Sequence, residues 1–588
     1  MLKNKKRIIS WLLVLTLGLG IVGCAPKANS AEVRKEFDVF VDSLPSEFVS
    51  SDDMNLEFVF KNPQNYGFDE EILNLPYATK EDYQDSANDS KELLKKLDAF
   101  SYKDLTLSQQ LTYDVLKDSL NRGIVDDKFY YLDNNYLGSF IGFQAQLPLL
   151  LSEYTFERQN DLDSYFHILE TSPEVFKKYA DNEKERQKQN VGMSQNILNK
   201  VIEQCNNFTK DKDVFLIEDI NKKIDKVEFL NEQQKQEAKK KNEDLLKNKY
   251  LKAYTILKEE LSTIKGRTDD VGLSQLPNGK EYYEYLLKAK VGVDDSVKDI
   301  KKYLEKQIKA CYVEMAGLSV KYPNIIEDTD FDSLKYTSST SFEETIDYLS
   351  QQIKKDYPET ETINYSVKTV PDAMKDNFSP AAYLQGKIDA SDDELEQIWV
   401  NGKFDQNLFT TLAHEGFSGH MYQHVYFKRL KLPTIRYLLD YNGYSEGWAT
   451  YIENNSYQYA ENYQEQEGKF KLYQLNQKAT EAMVCLIDIG IHYEGWTYDE
   501  YKTYMKENFG SLEETDLKEQ YDLFIETPTN YMQYYLSGMR LQELHDDAKK
   551  ELGDKFKETD FNKVILETGP SSFDILEKQV QKYIDTTK

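Results

Sequence analysis

The sequence predicts a mainly α-helical protein, a large two-lobed helical body with at most a small β-ribbon. Three observations carry this expectation. Proline supplies only 14 and glycine only 26 of the 588 residues, both below their usual shares of ~5% and ~7%, so helix breakers are scarce. In "EDLLKNKYLKAYTILKEEL" the apolar residues Leu246, Tyr250, Ala253, Tyr254, Leu257 and Leu261 recur at steps of three and four, the signature of one buried helix face. Sustained period-2 alternation is rare.

At the start of the chain, Lys3, Lys5, Lys6 and Arg7 precede an apolar stretch from Ile8 to Val22. The stretch is shorter than the ~20 residues of a membrane-spanning helix. It reads as a signal peptide over residues 1–23. Ile21-Val22-Gly23-Cys24 resembles a bacterial lipobox, so Cys24 is the expected site of acylation and residues 24–30 the acylated cysteine and its tether. Two acyl chains hold a soluble body stably at a membrane, which places the protein on the extracytoplasmic face of the bacterial cell membrane.

Loss of the four signal cations would take the formal net charge from −29 to −33. Binding to nucleic acid by counterion release requires basic patches, so nucleic acid is excluded as a partner. The acidity does not imply disorder, because 13% of the residues are aromatic and can build a core. Beyond Cys24 the cysteines at 205, 311 and 485 lack any C-x-x-C spacing, which points to buried thiols, or to one bridge with a spare, rather than to a zinc ribbon.

Helical periodicity continues in "VKDIKKYLEKQIKACYVEM" and "TIDYLSQQIKKDY". The expected strands are Thr362 to Val370 and Leu395 to Asn401, a small hairpin or ribbon. No repeat or linker divides the mature chain. The expected organisation is an N-terminal helical lobe over 31–370 and a C-terminal catalytic lobe over 371–588, with the boundary near Pro371.

Chemistry concentrates in "TTLAHEGFSGHMYQH", which holds three of the six histidines. A zinc hydrolase helix carries two histidines at i and i+4, on one face. His414 and His420 are six apart, which on a regular helix leaves them about 120° apart in angle with ~9 Å of rise between them. They could share an ion only if the helix breaks, and Ser418-Gly419 is where glycine would permit it. His420 and His424 have the i,i+4 spacing without distortion, but no glutamate follows the first of them. Spacing alone leaves both pairs open. In "YNGYSEGWATYIENN", Glu446 lies 26 residues after His420, and Glu453 follows two turns later on the same face. A glutamate so placed, on a second helix, is the third zinc ligand in one class of helical metallopeptidases.

The segments "SPAAYL", "TLAHEGFSGHMYQ", "EGWATYIE", "DIGIHYEGWT" and "PTNYMQYYLSG" resemble, in order and wording, the bacterial family known as domain of unknown function 885. Upstream, "GFQAQLPLLLSEYTF" and "LPNGKEYYEYLLK" resemble its other half. That family looks like a helical zincin, distantly similar to dipeptidyl carboxypeptidases, with His-Glu-x-x-Pro-Gly-His in place of His-Glu-x-x-His. Here Ser418 stands where the family has proline. The resemblance implies a zincin-like body in which His414, His420 and Glu446 hold one Zn2+ and leave a coordination position open. Glu415 would be the general base and Glu453 would orient a ligand. His424 falls outside the pattern.

An oxyanion donor is also needed. The candidates are Tyr534 and Tyr535, and His492 with Asp488 one turn before it to fix its tautomer. Arg540 could clamp a peptide carboxylate, although pairing at the surface suits it better. The expected function is a lipid-anchored, zinc-dependent metallopeptidase that hydrolyses short peptides. The alternative is a non-catalytic surface lipoprotein that binds peptide, glycan or metal, in which Glu415 would have no task.

Overall fold

The N-terminal half is built on a 30-residue helix, α1 (Gln159–Lys188), and on the helix anticipated over 246–261. Leu246 to Tyr250 form a single π-helical turn that runs into α2 (Leu251–Leu261). All six residues of the apolar stripe are buried, packed against Tyr165, Leu169 and Phe176 of α1 in one core. The periodic segment after residue 296 forms α3 (Val297–Lys321), and "TIDYLSQQ" lies in the helix Phe342–Gln352. The computed structural model describes residues 30–588 apart from 211–214, 329–330, 332–333, 371–374 and 376–377. The signal segment, Cys24 and Pro371 lie outside the described residues. Ser30, expected to end the tether, instead opens the first helix, Ser30–Asp42.

Three short strands, β1 (Tyr365–Thr369), β2 (Ala381–Leu384) and β3 (Glu396–Val400), form a mixed sheet in the order β1-β3-β2. The two anticipated strands therefore pair in parallel, Tyr365 opposite Glu396, and not as a hairpin. The chain between them is long enough for a crossover and carries β2, which returns antiparallel to β3. With two alanines in four residues, β2 has little strand propensity to announce it.

Downstream come α4 (Phe409–Glu415), α5 (His420–Lys428), α6 (Asn442–Ser456), α7 (Tyr463–Ile489) and α8 (Ser537–Leu552). Among the described residues the chain is thus mainly helical. The large core that they share also contains Leu273, Tyr283, Ile300, Leu304 and Ile346. This core therefore runs across residue 370 and takes in Phe129, Leu132 and Val191 as well. The segment assigned from the sequence to the N-terminal lobe lies under the C-terminal helices, because the apolar faces of α3 and Phe342–Gln352 are covered there. Cys205, Cys311 and Cys485 are buried free thiols, and among the described residues no helix is long and apolar enough to cross a membrane.

One close approach positions the site. α6 meets the start of α8 at Gly447 and Gly538. A Cβ on Gly447 would stand 2.5 Å from Ser537 Cβ and 3.0 Å from the Ser537 carbonyl carbon, and one on Gly538 would stand 2.9 Å from Thr450 Cγ2. Glycine at 447 lets the π-helical turn Met532–Leu536, which leads into α8, lie directly against the glutamate helix. Gly447→Ala is expected to lower the thermal midpoint by a few degrees. Overpacking against backbone, at about 1–3 kcal/mol, exceeds the ~1 kcal/mol that alanine gains in helix propensity. A calorimetric midpoint at or above that of the wild type would show that the two helices are free to separate.

Candidate metal centre

The histidine helix is interrupted, and over a longer stretch than the two residues anticipated. α4 ends at Glu415, and α5 begins at His420 after the four residues Gly416–Gly419. Gly416 N–H still bonds to Leu412 O, and Gly419 N–H reaches back to Ala413 O, both at 2.9 Å. The Phe417–Ser418 peptide is cis. Gly419 is so close beneath α4 that a Cβ there would stand 1.8 Å from His414 O. The turn is fastened from α6, where the fully buried Trp448 donates its indole N–H to Ser418 O at 2.9 Å.

This turn brings the rings of His414 and His420 to a centroid distance of 4.8 Å, at 81° to each other. Glu446 Oε2 on α6 lies 3.2 Å from His420 Nε2 and 3.7 Å from His414 Nε2. One ligand atom from each of His414, His420 and Glu446 thus lies within 4.8 Å of the others. Tetrahedral zinc with bonds of ~2.0 Å separates its donors by ~3.3 Å, so the spacing fits. Glu453 Oε2 is 3.1 Å from His414 Nδ1, which leaves Nε2 turned to the site, as when a carboxylate orients a ligating imidazole.

The electrostatics fit a cation as well. Glu415, Glu446 and Glu453 surround His414, and among the described residues no lysine or arginine pairs with any of the three. Burial alone would discharge His414, yet the bonds to Glu446 and Glu453 hold its pKa well above the usual imidazole value. Burial likewise pushes Glu446 upward, but the two histidines outweigh it and hold that carboxyl well below the usual range. Such a cluster draws in positive charge.

Glu415 is buried against the sheet. Its Oε2 accepts the Tyr383 backbone N–H of β2 at 2.8 Å, and burial raises its pKa although both histidines pull it down. Tyr383 was part of a quoted motif, but nothing in the sequence distinguishes a backbone donor.

The two tyrosine candidates separate. The ring of Tyr534 stacks at 6.3 Å from His414, and its hydroxyl adjoins Glu446 and Glu415. Burial and those carboxylates push its pKa far up, so it keeps its proton. Tyr535 turns to another side, stacking at 5.7 Å on Tyr531 with Glu481, Glu453 and Cys485 as neighbours. It is not at the metal site, because adjacent residues of the turn face different sides.

His492 and Asp488 are corrected. The imidazole is buried, its Nδ1 accepting Leu273 N–H at 3.2 Å and its Nε2 donating to Phe524 O at 2.8 Å. Burial lowers its pKa to about 4, and both nitrogens are taken, so it is a neutral core residue. Asp488 does not set its tautomer; that carboxyl accepts the Tyr283 hydroxyl at 2.6 Å and Thr529 N–H at 3.1 Å. Arg540 pairs with Asp295 and Glu543 and lies over the Tyr303 ring. His424 is buried beside Tyr383 and is not among the three residues whose spacing could hold an ion.

The family model described as "Bacterial protein of unknown function (DUF885)" matches residues 66–580. The chain belongs to the DUF885 family. No curated protein matches it in sequence. Among solved structures, a "putative lipoprotein" from Colwellia psychrerythraea superposes with a TM-score of 0.80 at 17% identity, covering 94% of this chain and 99% of that one. A "putative lipoprotein of unknown function" from Shewanella oneidensis gives a TM-score of 0.62 at 15% identity, covering 94% of this chain and 100% of that one. At these identities the likeness is one of fold. This DUF885 chain therefore shares an architecture with both proteins, while its site rests on its own residues.

Behind the site, Glu481 on α7 is fully enclosed. It accepts Asn454 Nδ2 at 3.0 Å and Gln477 Nε2 at 3.1 Å, and burial raises its pKa to about 8. The folded protein thus holds a proton that the unfolded chain releases near pH 4.5, so this group's contribution to stability falls as pH rises from about 4.5 to about 8. Glu481→Gln is expected to flatten that fall, raising the midpoint relative to wild type at pH 8.5 more than at pH 5.5. Parallel pH profiles for the two proteins would contradict it.

Proposed function

We propose that this DUF885 protein is a lipid-anchored, zinc-dependent metallopeptidase that cleaves amide bonds of short peptides outside the cytoplasm. The observation that carries the reading is a fourth functional group beside the three-donor set. The Glu415 carboxylate is held by the Tyr383 N–H at 2.8 Å and lies 3.9 Å from His414 Nε2, yet it is not one of the three ligands. A metal-binding protein needs the ligands; a hydrolase needs a base next to them.

His414, His420 and Glu446 would hold the ion, which when bound supplies Lewis acidity to activate water and polarise a carbonyl. Glu415 takes the proton from the attacking water and returns it to the leaving amine. Its raised pKa favours that return. Tyr534, protonated and adjoining both Glu446 and Glu415, donates its hydroxyl to the developing oxyanion. Glu453 fixes the His414 ring. Membrane attachment rests on Cys24 in its lipobox-like setting and on the description of both solved relatives as lipoproteins.

Protein purified without added metal is expected to carry one equivalent of zinc by elemental analysis. His414→Ala and Glu446→Ala should lose it, and His424→Ala should keep it. With a library of short peptides, Glu415→Gln is expected to retain zinc and lose about 10²–10⁴ in kcat. Tyr534→Phe should lose about 10²–10³, and Tyr535→Phe should stay near wild type. Zinc bound with no chelator-sensitive turnover of any peptide would remove the enzyme claim.

A further inference from the structure

A cleft of about 630 Å³ opens beside the metal ligands, and His420 and Glu446 form part of its wall. From His420, Gln423 and His424 follow one turn along the same side of α5, and both line the cleft. Arg436, from the single helical turn Ile435–Leu438, lines the same cleft. Leu56, Val59, Ile388 and Phe427 supply apolar wall.

Arg436 is only 2% exposed. One of its nitrogens, Nη2, donates to Thr568 O at 2.6 Å, at the carbonyl end of the helix Glu558–Thr568. Its Nε has no hydrogen-bond partner, and among the described residues no carboxylate pairs with it. Burial lowers its pKa to about 10, which leaves it cationic at neutral pH. Gln423 sits beside the Tyr444 hydroxyl, which donates to Ile565 O, yet the Gln423 Nε2 closes no hydrogen bond either. The other acids on the wall are engaged: Asp53 accepts Asn55 N–H at 2.8 Å, and Asp440 faces Lys290 and Arg122.

A buried cation without a counter-charge is costly. A guanidinium with an unfilled Nε, in one cleft wall with the unfilled Nε2 of Gln423, has the shape and charge to take a carboxylate. Helix-end carbonyls offset part of that cost at Nη2 and fix the group in place, but they leave Nε unfilled. A volume of ~630 Å³ is roughly 9 Å across, the length of two or three extended residues at ~3.4 Å each.

We propose that Arg436, assisted by Gln423, anchors a carboxylate of the substrate in this cleft, within one to three residues of the bond to be cut. This rests on the peptidase reading and narrows it to substrates carrying a free C-terminal carboxylate or an acidic side chain near the cut.

The test measures binding, so that it stands apart from turnover. Ala-Ala-Phe, its C-terminal amide, and the amide of Ala-Ala-Glu are titrated by calorimetry into the full-length Glu415→Gln protein, with Arg436 intact and as Arg436→Gln or Arg436→Lys. Free Ala-Ala-Phe is expected to bind about tenfold or more tighter than its amide, with the preference erased in Arg436→Gln at unchanged zinc content. Arg436→Lys keeps the charge and should retain part of the preference; it serves as the reference if Arg436→Gln lowers the melting midpoint. Tight binding of the Ala-Ala-Glu amide, lost in Arg436→Gln, would support the anchor and assign the carboxylate to a side chain. Equal binding of all three peptides, absence of binding by all of them up to millimolar concentration, or an acid preference that survives both substitutions, would overturn the proposal. A protein without zinc or turnover that still prefers the free acid through Arg436 would refute the peptidase reading and leave the anchor standing.

Discussion

The arrangement of the site depends on one hydrogen bond and the turn that it fastens. Without a break, two histidines six residues apart would stand about 9 Å apart along the axis and about 120° around it. The stretch Gly416–Gly419 closes that gap to a ring separation of 4.8 Å, and the Trp448 indole holds it by Ser418 O. Trp448 lies two residues after Glu446 on the same helix. The anchor of the turn and the third ligand thus come from one rigid element, so that α6 cannot shift without moving both. Close contact of Gly447 with Ser537 ties the tyrosine turn to the same helix. Ligands, turn and hydroxyl donor are referenced to α6 more than to one another.

Burial makes this geometry expensive without a cation. Three mostly buried carboxylates lie around His414, and among the described residues no lysine or arginine pairs with them. The response is visible in the directions of the shifts, with His414 driven toward its charged form and Glu446 toward its own. A proton can neutralise part of the cluster, but a divalent ion does so while meeting the donors' spacing. The same reasoning extends to Arg436, where the unbalanced charge has the opposite sign. The cleft then has Glu446 of the three-donor set and the buried cation of Arg436 in its lining.

Much of this was legible in the sequence, and for identifiable reasons. The stripe from Leu246 to Leu261 marks its helix because packing imposes a 3.6-residue period on side chains. The types and order of His414, Glu415, His420, Glu446 and Glu453 stand out as a pattern because few residue types suit a metal-ligand set, and the structure brings these five side chains together. Spacing alone did not choose between His414 and His424 as the partner of His420, since the choice depends on a backbone turn of four residues. Tyr534 and Tyr535 are adjacent and chemically identical, so only the direction of each ring divides them. His492 sits one helical turn after a carboxylate and suggests a catalytic pair, whereas backbone groups from Leu273 and Phe524, distant in sequence, occupy it. The extent of the core around the site was hidden because apolar faces do not reveal which partner covers them.

On the proposed reading, the placement of Glu415 is what separates a catalyst from a metal-holding protein, and the grounds are energetic. A carboxylate that served only to balance charge would gain most by joining the donor set, where it would meet the ion directly. Glu415 instead lies at the end of α4, immediately before the turn, with one oxygen committed to the Tyr383 N–H. That bond restrains the carboxyl beside the ligands without letting it become one. It also couples Glu415 to β2, whose outer side pairs with no other strand among the described residues. A group kept buried, adjacent and uncoordinated, at a cost in desolvation that its raised pKa records, is placed to exchange a proton with whatever occupies the open side of the three donors.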